Sequence, residues 1–329
     1  MPEADDNTEL DRALALDIVR VTEATAIAAA QWLGRGDEAS ADEAASAAMH
    51  DQIAQLPFQG VVVVGEGDED DNPVFYMGEL LGAGSPSGAK LDLAVDPIEG
   101  TTLCAKALPN AMSVLVVAEY GSLLKVPPIY MDKVAVGPGF PDGMIDIDAS
   151  PSENLRALAE AKGVGISDLT VCVLDRPRHG HLIEEVRSAG AALRLIGDGD
   201  IAGVMHVADP EQTGIDMYLG VGGAAEGVLA AAALACLGGQ MEGRLVAFNA
   251  EHRAWAKLAG ISDLARKYTL QDMVAGDLCF AATGITDGTL TGGVHHSPNS
   301  LTTNSVVMRA SSRARRWIKT EHTILAKNS

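Results

Sequence analysis

Residues 96–102 read Asp96-Pro97-Ile98-Glu99-Gly100-Thr101-Thr102, and they follow directly on the mostly apolar run Leu91 to Val95. The run predicts a short strand, and the proline and glycine after it force a tight turn. Two acids three residues apart therefore stand at a strand end, where the backbone can curl oxygens around an ion. A solvated turn is the alternative, but such turns rarely combine two acids, a proline and a threonine pair. The segment predicts a site for Mg²⁺ or Mn²⁺, which prefer several oxygen ligands.

Two further acids stand beside glycines at the ends of predicted elements. Glu66 follows the β-branched run Val61 to Val64 and has a glycine on either side. Taken alone, Glu66 is equally well interpreted as a helix cap or a loop residue in solvent. Glu226 opens an otherwise apolar helix, predicted over Ala225 to Leu237, after a double glycine. Both acids are therefore candidates for the same chemistry as the 96–102 turn.

The composition restricts the possible partners. The chain has 329 residues, of which 45 are acids and 24 are lysine or arginine, so that its formal net charge is -21. Nucleic acids and acidic membranes require a basic surface, so this charge argues against both as partners. An anionic substrate would need a local positive field, which either metal ions or clustered arginines can supply. Acids grouped at strand ends would gather such cations.

Several features predict a cytoplasmic protein. The four cysteines lie far apart without a CxxC pair, which argues against a zinc site or a disulfide framework and favours a reducing compartment. The acidic segment Met1 to Asp11 is unlike a signal or transit peptide. The longest apolar stretch, Val228 to Leu237, is far shorter than the roughly 20 residues of a membrane-spanning helix.

Strand and helix patterns alternate along the chain, which predicts an α/β fold. We place the boundary between two lobes near residues 150–168, giving an N-terminal lobe of residues 1–165 and a C-terminal lobe of residues 166–329. Strands are predicted at 61–64, 91–95, 113–119, 133–136, 169–174, 193–196, 277–283 and 303–309, and helices at 14–33, 40–56, 152–162, 181–189 and 225–237.

Two polar segments follow predicted strands in the second half of the chain. Arg176-Pro177-Arg178-His179 follows the strand that ends at Leu174, and its arginines suit bidentate contacts with a phosphate. In so acidic a protein they are a candidate site for a second, non-reacting phosphate, although a surface ion pair is the alternative. Asp198-Gly199-Asp200 ends the next strand, where carboxylates could accept hydrogen bonds from sugar hydroxyls.

The 96–102 segment resembles the DPI(D/E)GT signature of the lithium-sensitive sugar and inositol phosphatase superfamily. Together with the segments 65–67, 176–179, 198–200 and 222–227 (Gly-Gly-Ala-Ala-Glu-Gly), it is similar to the class II fructose-1,6-bisphosphatases of bacteria. The resemblance extends from Arg20 to about Trp317. It implies a layered αβαβα sugar-phosphatase fold with two lobes and a cleft between them. It also implies Mg²⁺- or Mn²⁺-dependent hydrolysis of a phosphate ester.

The resemblance also implies roles for single residues. Asp42 and Glu66 match one set of metal ligands, and Asp96, Glu99 and Glu226 match the other. The first half of the chain carries most of these ligands, and the second half carries Glu226. The residues implied to contact the substrate are Glu99, Gly100, Thr101, Tyr130, Arg176, Pro177, Arg178, Asp198, Gly199, Asp200 and Gly223.

Catalysis is expected from Thr101 and Asp70. Thr101 comes two residues after Glu99, where its hydroxyl can orient the attacking water and where a helix can begin. The resemblance pairs this threonine with an acid that matches Asp70. Residues 66–71 include five acids, however, and most acidic loops are merely solvated. The catalytic role of Asp70 therefore has a strong alternative.

The expected reaction is hydrolysis of the 1-phosphate of D-fructose 1,6-bisphosphate in gluconeogenesis or the Calvin cycle. Sedoheptulose 1,7-bisphosphatase activity, alone or alongside it, is an alternative that the sequence does not separate. An inositol monophosphatase is disfavoured, because a monophosphate gives Arg176 and Arg178 no second phosphate to hold. A non-catalytic protein that binds metal or sugar phosphate is the alternative from another class. The sequence does not decide which metal is used in the cell, which allosteric effectors act, or whether the expected homo-oligomer is a dimer or a tetramer.

Two charged positions fall outside these assignments. Glu38 occupies a position where many members of the family have lysine, so that substrate affinity, metal preference or regulation can differ. Near the C-terminus a basic cluster is interpreted as a solvated or intersubunit face rather than an anion site; it comprises Arg313, Arg315, Arg316 and Lys319.

Overall fold

The computed structural model describes residue 10 and residues 14–67, 73–84 and 90–323. The chain divides into two compact units: unit 1 comprises Met1–Leu123 and Ala275–Ser329, and unit 2 comprises Leu124–Val274. These bounds differ from the predicted lobes of residues 1–165 and 166–329. The strand at 130–136 pairs only with later strands of unit 2, and the chain then returns to complete the sheet of unit 1. Such long-range pairing leaves no local signal in the sequence.

The described residues in the first part of unit 1 form three helices and four strands. The helices are α1 (Leu14–Ala30), α2 (Glu38–Ile53) and the short α3 (Thr101–Ala105). The strands are β1 (Gln59–Val64), β2 (Leu80–Leu81), β3 (Lys90–Glu99) and β4 (Met112–Glu119). Each element predicted here is confirmed, and β3 extends four residues beyond its predicted end.

Unit 2 contains the next six strands and seven helices. The strands are β5 (Tyr130–Val136), β6 (Thr170–Leu174), β7 (Ala192–Ile196), β8 (Met217–Gly223), β9 (Gln240–Val246) and β10 (Tyr268–Thr269). The helices are α4 (Pro151–Lys162), α5 (Gly180–Ala189), α6 (Asp200–Met205), α7 (Pro210–Thr213), α8 (Ala224–Leu237), α9 (Ala250–Leu258) and α10 (Leu270–Met273). In its described residues these strands form one sheet in the order β10-β9-β5-β8-β6-β7.

The chain then returns to unit 1 and adds β11 (Leu278–Gly284), β12 (His295–His296), β13 (Ser300–Arg309) and β14 (Ala314–Thr323). In the described part of unit 1 the sheet has the order β12-β13-β11-β4-β3-β1-β2, and β14 pairs with β13. The core between this sheet and the helices includes Ile18 and Met49 from α1 and α2, with Leu93 and Leu115 from β3 and β4. The predicted α/β class is confirmed: two multi-stranded sheets are packed with helices.

Among the residues described, no helix combines the length and the apolar character needed to cross a bilayer. All four cysteines are buried, and no disulfide joins them.

Candidate active site

A one-residue β-bulge turns Asp96 and Glu99 toward the same face of unit 1's sheet. On β4, Asp96 lies opposite Val114 and Glu99 lies opposite Met112. Three steps along β3 therefore match two steps along β4, so that one extra residue is accommodated between the acids. Residues three apart in a regular strand would point to opposite faces. Both acids are almost fully buried, at 3% and 4% exposure.

Glu66 lies at the same end of the sheet as these two acids. β1 and β3 are parallel neighbours, and Glu66 follows β1 by two residues. Carboxyl ends of parallel strands share one edge of a sheet, which is where ligands of α/β proteins commonly bind. Strand direction thus places Glu66 at the same sheet edge as Asp96 and Glu99, and the Glu66 side chain is exposed.

The loop that carries Glu66 is held by residues that the sequence did not single out. The Gly67 N–H donates to the Phe75 carbonyl at 3.2 Å. Phe75 is buried and has a φ of 61°, a costly conformation for a non-glycine residue. Its N–H donates to the Glu79 carboxylate at 2.6 Å, and the other Glu79 oxygen lies 2.9 Å from His50 Nε2 on α2. These contacts connect the Glu66 loop to a helix of the core.

Asp42 lies on α2, in the second turn from its N-terminus. Asp37 caps this helix, since its carboxylate accepts the Ser40 N–H at 3.0 Å. The helix packs against β3 and α3, and partial burial raises the pKa of the Asp42 carboxyl. Glu38 is exposed one turn earlier on the same helix face. Its carboxylate therefore adds negative charge near Asp42, where a lysine would offset it.

Thr101 is the first residue of α3, which confirms the predicted helix start. Gly100 precedes it with a φ of 82°, and a Cβ at Gly100 would lie 2.8 Å from Leu103 Cδ1. The Thr101 hydroxyl donates its proton to the Ile98 carbonyl at 3.1 Å. Its lone pairs therefore face outward from this bond and can accept a hydrogen bond from water.

The described carboxylates do not form a completed ligand cage. Within the described ranges, no group of three or more His, Cys, Asp or Glu side chains is positioned to hold a metal ion. Asp70 lies outside the described residues. The donor set does fit a hard cation by its chemistry, because Asp42, Glu66, Asp96 and Glu99 all offer carboxylate oxygens. The ligand assignments remain predictions.

In unit 2, the double glycine before α8 makes room for two carboxylates. A Cβ at Gly222 would lie 1.9 Å from Asp200 Oδ2, and a Cβ at Gly223 would lie 1.8 Å from Glu226 Oε2. Any larger residue would therefore displace one of these acids. Burial raises the pKa of the Glu226 carboxyl, although the nearby Lys133 ammonium opposes this effect. The sequence motif at 222–227 is thus explained by close packing around charged groups.

Asp200 is held inside unit 2 by two side chains. Its carboxylate accepts hydrogen bonds from the Tyr218 hydroxyl and from the Lys133 ammonium. Lys133 also donates to the Gly223 carbonyl at 2.9 Å. Both carboxylate oxygens of Asp200 therefore already accept hydrogen bonds within the protein. This makes the expected contact of Asp200 with sugar hydroxyls less favourable. Lys133 was missed from the sequence because a single lysine within an apolar strand carries no motif.

Arg178 and Tyr130 form a preorganised pair in unit 2. The Arg178 Nε and Nη2 atoms donate to the Val221 carbonyl at 2.9 and 2.7 Å. The guanidinium lies 5.2 Å from the centroid of the Tyr130 ring, and Tyr130 lies opposite Gly223 in the β5–β8 pairing. Three of the residues predicted to bind substrate thus lie together. Within the described part of the chain, the remaining N–H groups of Arg178 are not engaged by another residue and can bind an anion.

The rest of the 176–179 segment is fixed by the backbone. Pro177 starts a short 3₁₀ turn that follows Arg176. His179 Nδ1 donates to the Leu174 carbonyl at 2.7 Å, and its Nε2 accepts the Val221 N–H at 2.8 Å. Arg176 lies 3.6 Å from Asp198, which agrees with the alternative of a surface ion pair for this residue. The assignment of Arg178 to a second phosphate stays a prediction. Gly199 is the N-cap of α6.

The cysteine thiols are poor candidates for a nucleophile. Burial raises the pKa of Cys104 and Cys279 to about 11 and that of Cys172 to about 12. These thiols therefore stay protonated near neutral pH, whereas the thiolate is the reactive form.

Comparisons with known proteins show which family this chain resembles along most of its length. Residues 12–322 match the model of the family described as "Bacterial fructose-1,6-bisphosphatase, glpX-encoded". The chain is 41% identical to the D-fructose 1,6-bisphosphatase class 2/sedoheptulose 1,7-bisphosphatase of Synechococcus sp. (strain JA-2-3B'a(2-13)), over 95% of this chain and 96% of that protein. It is 38% identical to the protein of the same name from Trichodesmium erythraeum (strain IMS101), over 95% and 97%.

Proposed function

Because the chain belongs to the bacterial, glpX-encoded fructose-1,6-bisphosphatase family of phosphatases, we propose that it hydrolyses the 1-phosphate of D-fructose 1,6-bisphosphate to fructose 6-phosphate and inorganic phosphate. The bulge that turns Asp96 and Glu99 to one face, directly before Thr101, is the observation that carries this proposal. Two carboxylates on one face of the sheet, followed in the chain by a threonine at a helix start, suit metal-assisted attack by water on a phosphate ester. The step belongs to gluconeogenesis or the Calvin cycle.

The proposed cofactor is Mg²⁺ or Mn²⁺, held by Asp42, Glu66, Asp96, Glu99 and Glu226. When bound, such an ion lowers the pKa of a water and neutralises charge on the phosphate. Two structural properties of the acids support the assignment. Asp96 and Glu99 are buried carboxylates on one face of the sheet. The Glu226 carboxylate packs against Gly223, where the absence of a side chain leaves room for it.

The protein's own groups bind and orient the reactants. The Thr101 hydroxyl donates a hydrogen bond to the Ile98 carbonyl. Its oxygen therefore accepts a hydrogen bond from the attacking water and so fixes the orientation of that water. Asp70 is proposed as the carboxylate that acts as general base and receives the proton of the water. Arg178 binds the phosphate that does not react, because its guanidinium is already fixed by the Val221 carbonyl and the Tyr130 ring. Gly100, Gly223 and the segments 176–178 and 198–200 complete the proposed substrate contacts.

A second substrate, sedoheptulose 1,7-bisphosphate, is favoured by the double name that the relatives share. Both sugars carry a phosphate at each end of a polyol, so one arginine can hold the distal phosphate of either. We further propose that the enzyme works in the cytoplasm, since its four cysteines form no disulfide framework, and that it assembles as a homodimer or homotetramer.

Phosphate release by the purified protein tests the proposal. Both bisphosphates, fructose 6-phosphate and inositol 1-phosphate are compared at one fixed Mn²⁺ or Mg²⁺ concentration, each with and without EDTA. We expect rapid, metal-dependent release from fructose 1,6-bisphosphate and little from either monophosphate. Metal binding without turnover would indicate a non-catalytic binding protein. A preference for inositol 1-phosphate would contradict the role given to Arg178.

A further inference from the structure

The last strand of unit 1 lies at an edge of its sheet. β14 pairs with β13 over its whole length, from Ser300 opposite Thr323 to Arg309 opposite Ala314, without a break in register. In the part of the chain that the structure describes, β14 pairs with no other strand. The opposite edge of the sheet, β2, has only two residues. A ten-residue edge therefore presents a row of backbone donors and acceptors to solvent, as a template for another strand.

The side chains of β14 alternate between two environments. On one face, Ile318 packs against the core of unit 1 and the Nε2 atom of His322 lies 3.0 Å from the Thr303 hydroxyl. The other face carries Arg315, Trp317, Lys319 and Glu321, all of them exposed. Trp317 is 65% exposed, so a large aromatic ring is available on this face for contact with a partner.

Natural edge strands are usually protected by proline, by a bulge or by charge. β14 contains neither proline nor glycine, and its register is unbroken. Of these three forms of protection, β14 has only charged side chains, and these repel only partners of like charge. The exposed face reads Arg, Trp, Lys, Glu at residues 315, 317, 319 and 321. Its charge is therefore positive at the Arg315 end and negative at the Glu321 end.

We propose that β14 pairs antiparallel with β14 of a second copy of this chain, about a twofold axis through Ile318. Directly opposite residues in an antiparallel pair share a face, and in this register Arg315 lies opposite Glu321 of the second copy. The same contact occurs twice because the interface is isologous. Trp317 lies opposite Lys319 of the second copy, which allows a cation–π contact.

The charge pattern selects this register among its neighbours. A twofold axis normal to the sheet keeps each side chain on its own face, so alternative registers differ in steps of two residues. Centring the pair on Lys319 would place two lysines opposite each other. Centring it on Trp317 would place Arg315 opposite Lys319. Like charges directly opposite are destabilising and opposite charges are stabilising, so the register centred on Ile318 is favoured over these two.

Charge-reversal variants test both the surface and the register. The full-length protein is examined by sedimentation velocity from about 0.1 to 50 μM, together with Arg315→Glu and Glu321→Arg. Each variant alone places two like-charged pairs across the axis. We expect the dissociation constant of this interface to rise about ten- to a hundredfold in each variant. Arg316→Glu is the matched control: it carries the same charge change on the same strand but lies opposite Thr320 of the second copy, and it should leave assembly unchanged.

Mixing the two variants gives the decisive measurement. In a mixed pair, the glutamate introduced at position 315 of one copy faces the arginine introduced at position 321 of the other. The second contact joins the unchanged Arg315 and Glu321, so association should return to the wild-type strength. A folding defect would not be repaired by mixing. The proposal is overturned if the wild-type protein is monomeric throughout, if the single variants assemble as the wild type does, or if the mixture fails to restore association.

Discussion

The Lys133 ammonium and the Asp200 carboxylate form an ion pair in which the lysine side chain is fully buried and that of the aspartate is 8% exposed. Lys133 lies on a central strand of unit 2's sheet, between β8 and β9. Its other hydrogen bond goes to the carbonyl of Gly223, the residue before α8. One internal cation thus fixes both the start of α6 and the start of the helix that carries Glu226.

Lys133→Met is expected to destabilise the protein by about 3–5 kcal/mol, because removing one partner leaves a buried carboxylate without its counter-charge. The free energy of unfolding is measured by urea titration at a fixed, near-neutral pH. The double variant Lys133→Met/Asp200→Asn should recover much of this loss, since Asp200 then no longer carries a buried charge that has lost its partner.

Lys267 provides a matched control for this experiment. It pairs with Asp146 and Asp148 at the surface, where all three side chains are well exposed. Lys267→Met should cost far less, because solvent screens exposed ion pairs. Equal losses at Lys133 and Lys267, or no recovery in the double variant, would refute the structural role of the buried pair.

Arg178→Ala is expected to raise KM for fructose 1,6-bisphosphate by roughly tenfold or more, with a smaller change in kcat, because it removes a contact with the phosphate that does not react. Arg178→Lys should restore activity only partly. Lysine keeps the charge but has no planar guanidinium, so it cannot donate the same pair of hydrogen bonds to the Val221 carbonyl or stack on Tyr130.

Arg187, an exposed arginine in the last turn of α5, is the control for net charge. Steady-state kinetics of Arg187→Ala should match the wild type. If Arg178→Ala affects a monophosphate substrate as much as the bisphosphate, Arg178 does not bind the distal phosphate.

Thr101→Ala is expected to reduce kcat by roughly 10²-fold or more, the range for losing a group that orients a proton transfer, while metal affinity stays nearly unchanged. Thr101→Ser keeps the hydroxyl and should retain most of the activity. The two variants are compared by phosphate release at saturating substrate and by calorimetric titration with Mn²⁺. Near wild-type turnover of Thr101→Ala would remove Thr101 from the mechanism.

Local pattern predicted much of this fold because the strands are rich in β-branched residues and the helices in alanine. The run Val61 to Val64 is a strand in both the prediction and the structure, and the predicted helix at 225–237 begins one residue earlier. The strands β8, β9 and β14 were not predicted, since they carry glycines or charges. Their stability derives from pairing with distant strands, which local periodicity does not reveal.

The site was predictable only where acids stand beside glycine and proline. The turn at 96–102 was recognisable in this way, but the bulge that turns Asp96 and Glu99 to one face depends on pairing with β4. Lys133 and Asp200 are 67 residues apart in the chain, and Phe75 and Glu79 support the Glu66 loop without any motif. The roles of the metal ligands, Thr101 and Asp70 stay predictions.

Acidification should destabilise the protein through His206, which is 5% exposed. Burial lowers the pKa of His206 to about 4, against about 6.5 for an unperturbed histidine. Above about pH 6.5 the side chain is neutral in both states and contributes no pH dependence. Between about 6.5 and 4 the unfolded chain binds a proton that the folded protein does not, so stability falls as pH falls, by up to roughly 1.4 kcal/mol per pH unit.

His206→Gln isolates this contribution. Urea unfolding is measured between about pH 4.5 and 7.5 for the wild type, for His206→Gln and for His181→Gln, in which the replaced side chain is 91% exposed. His206→Gln should show a shallower loss of stability below about pH 6.5, whereas His181→Gln should follow the wild type. Parallel curves for wild type and His206→Gln would mean that His206 takes up its proton equally in the folded and unfolded states, and that its burial does not govern the acid response.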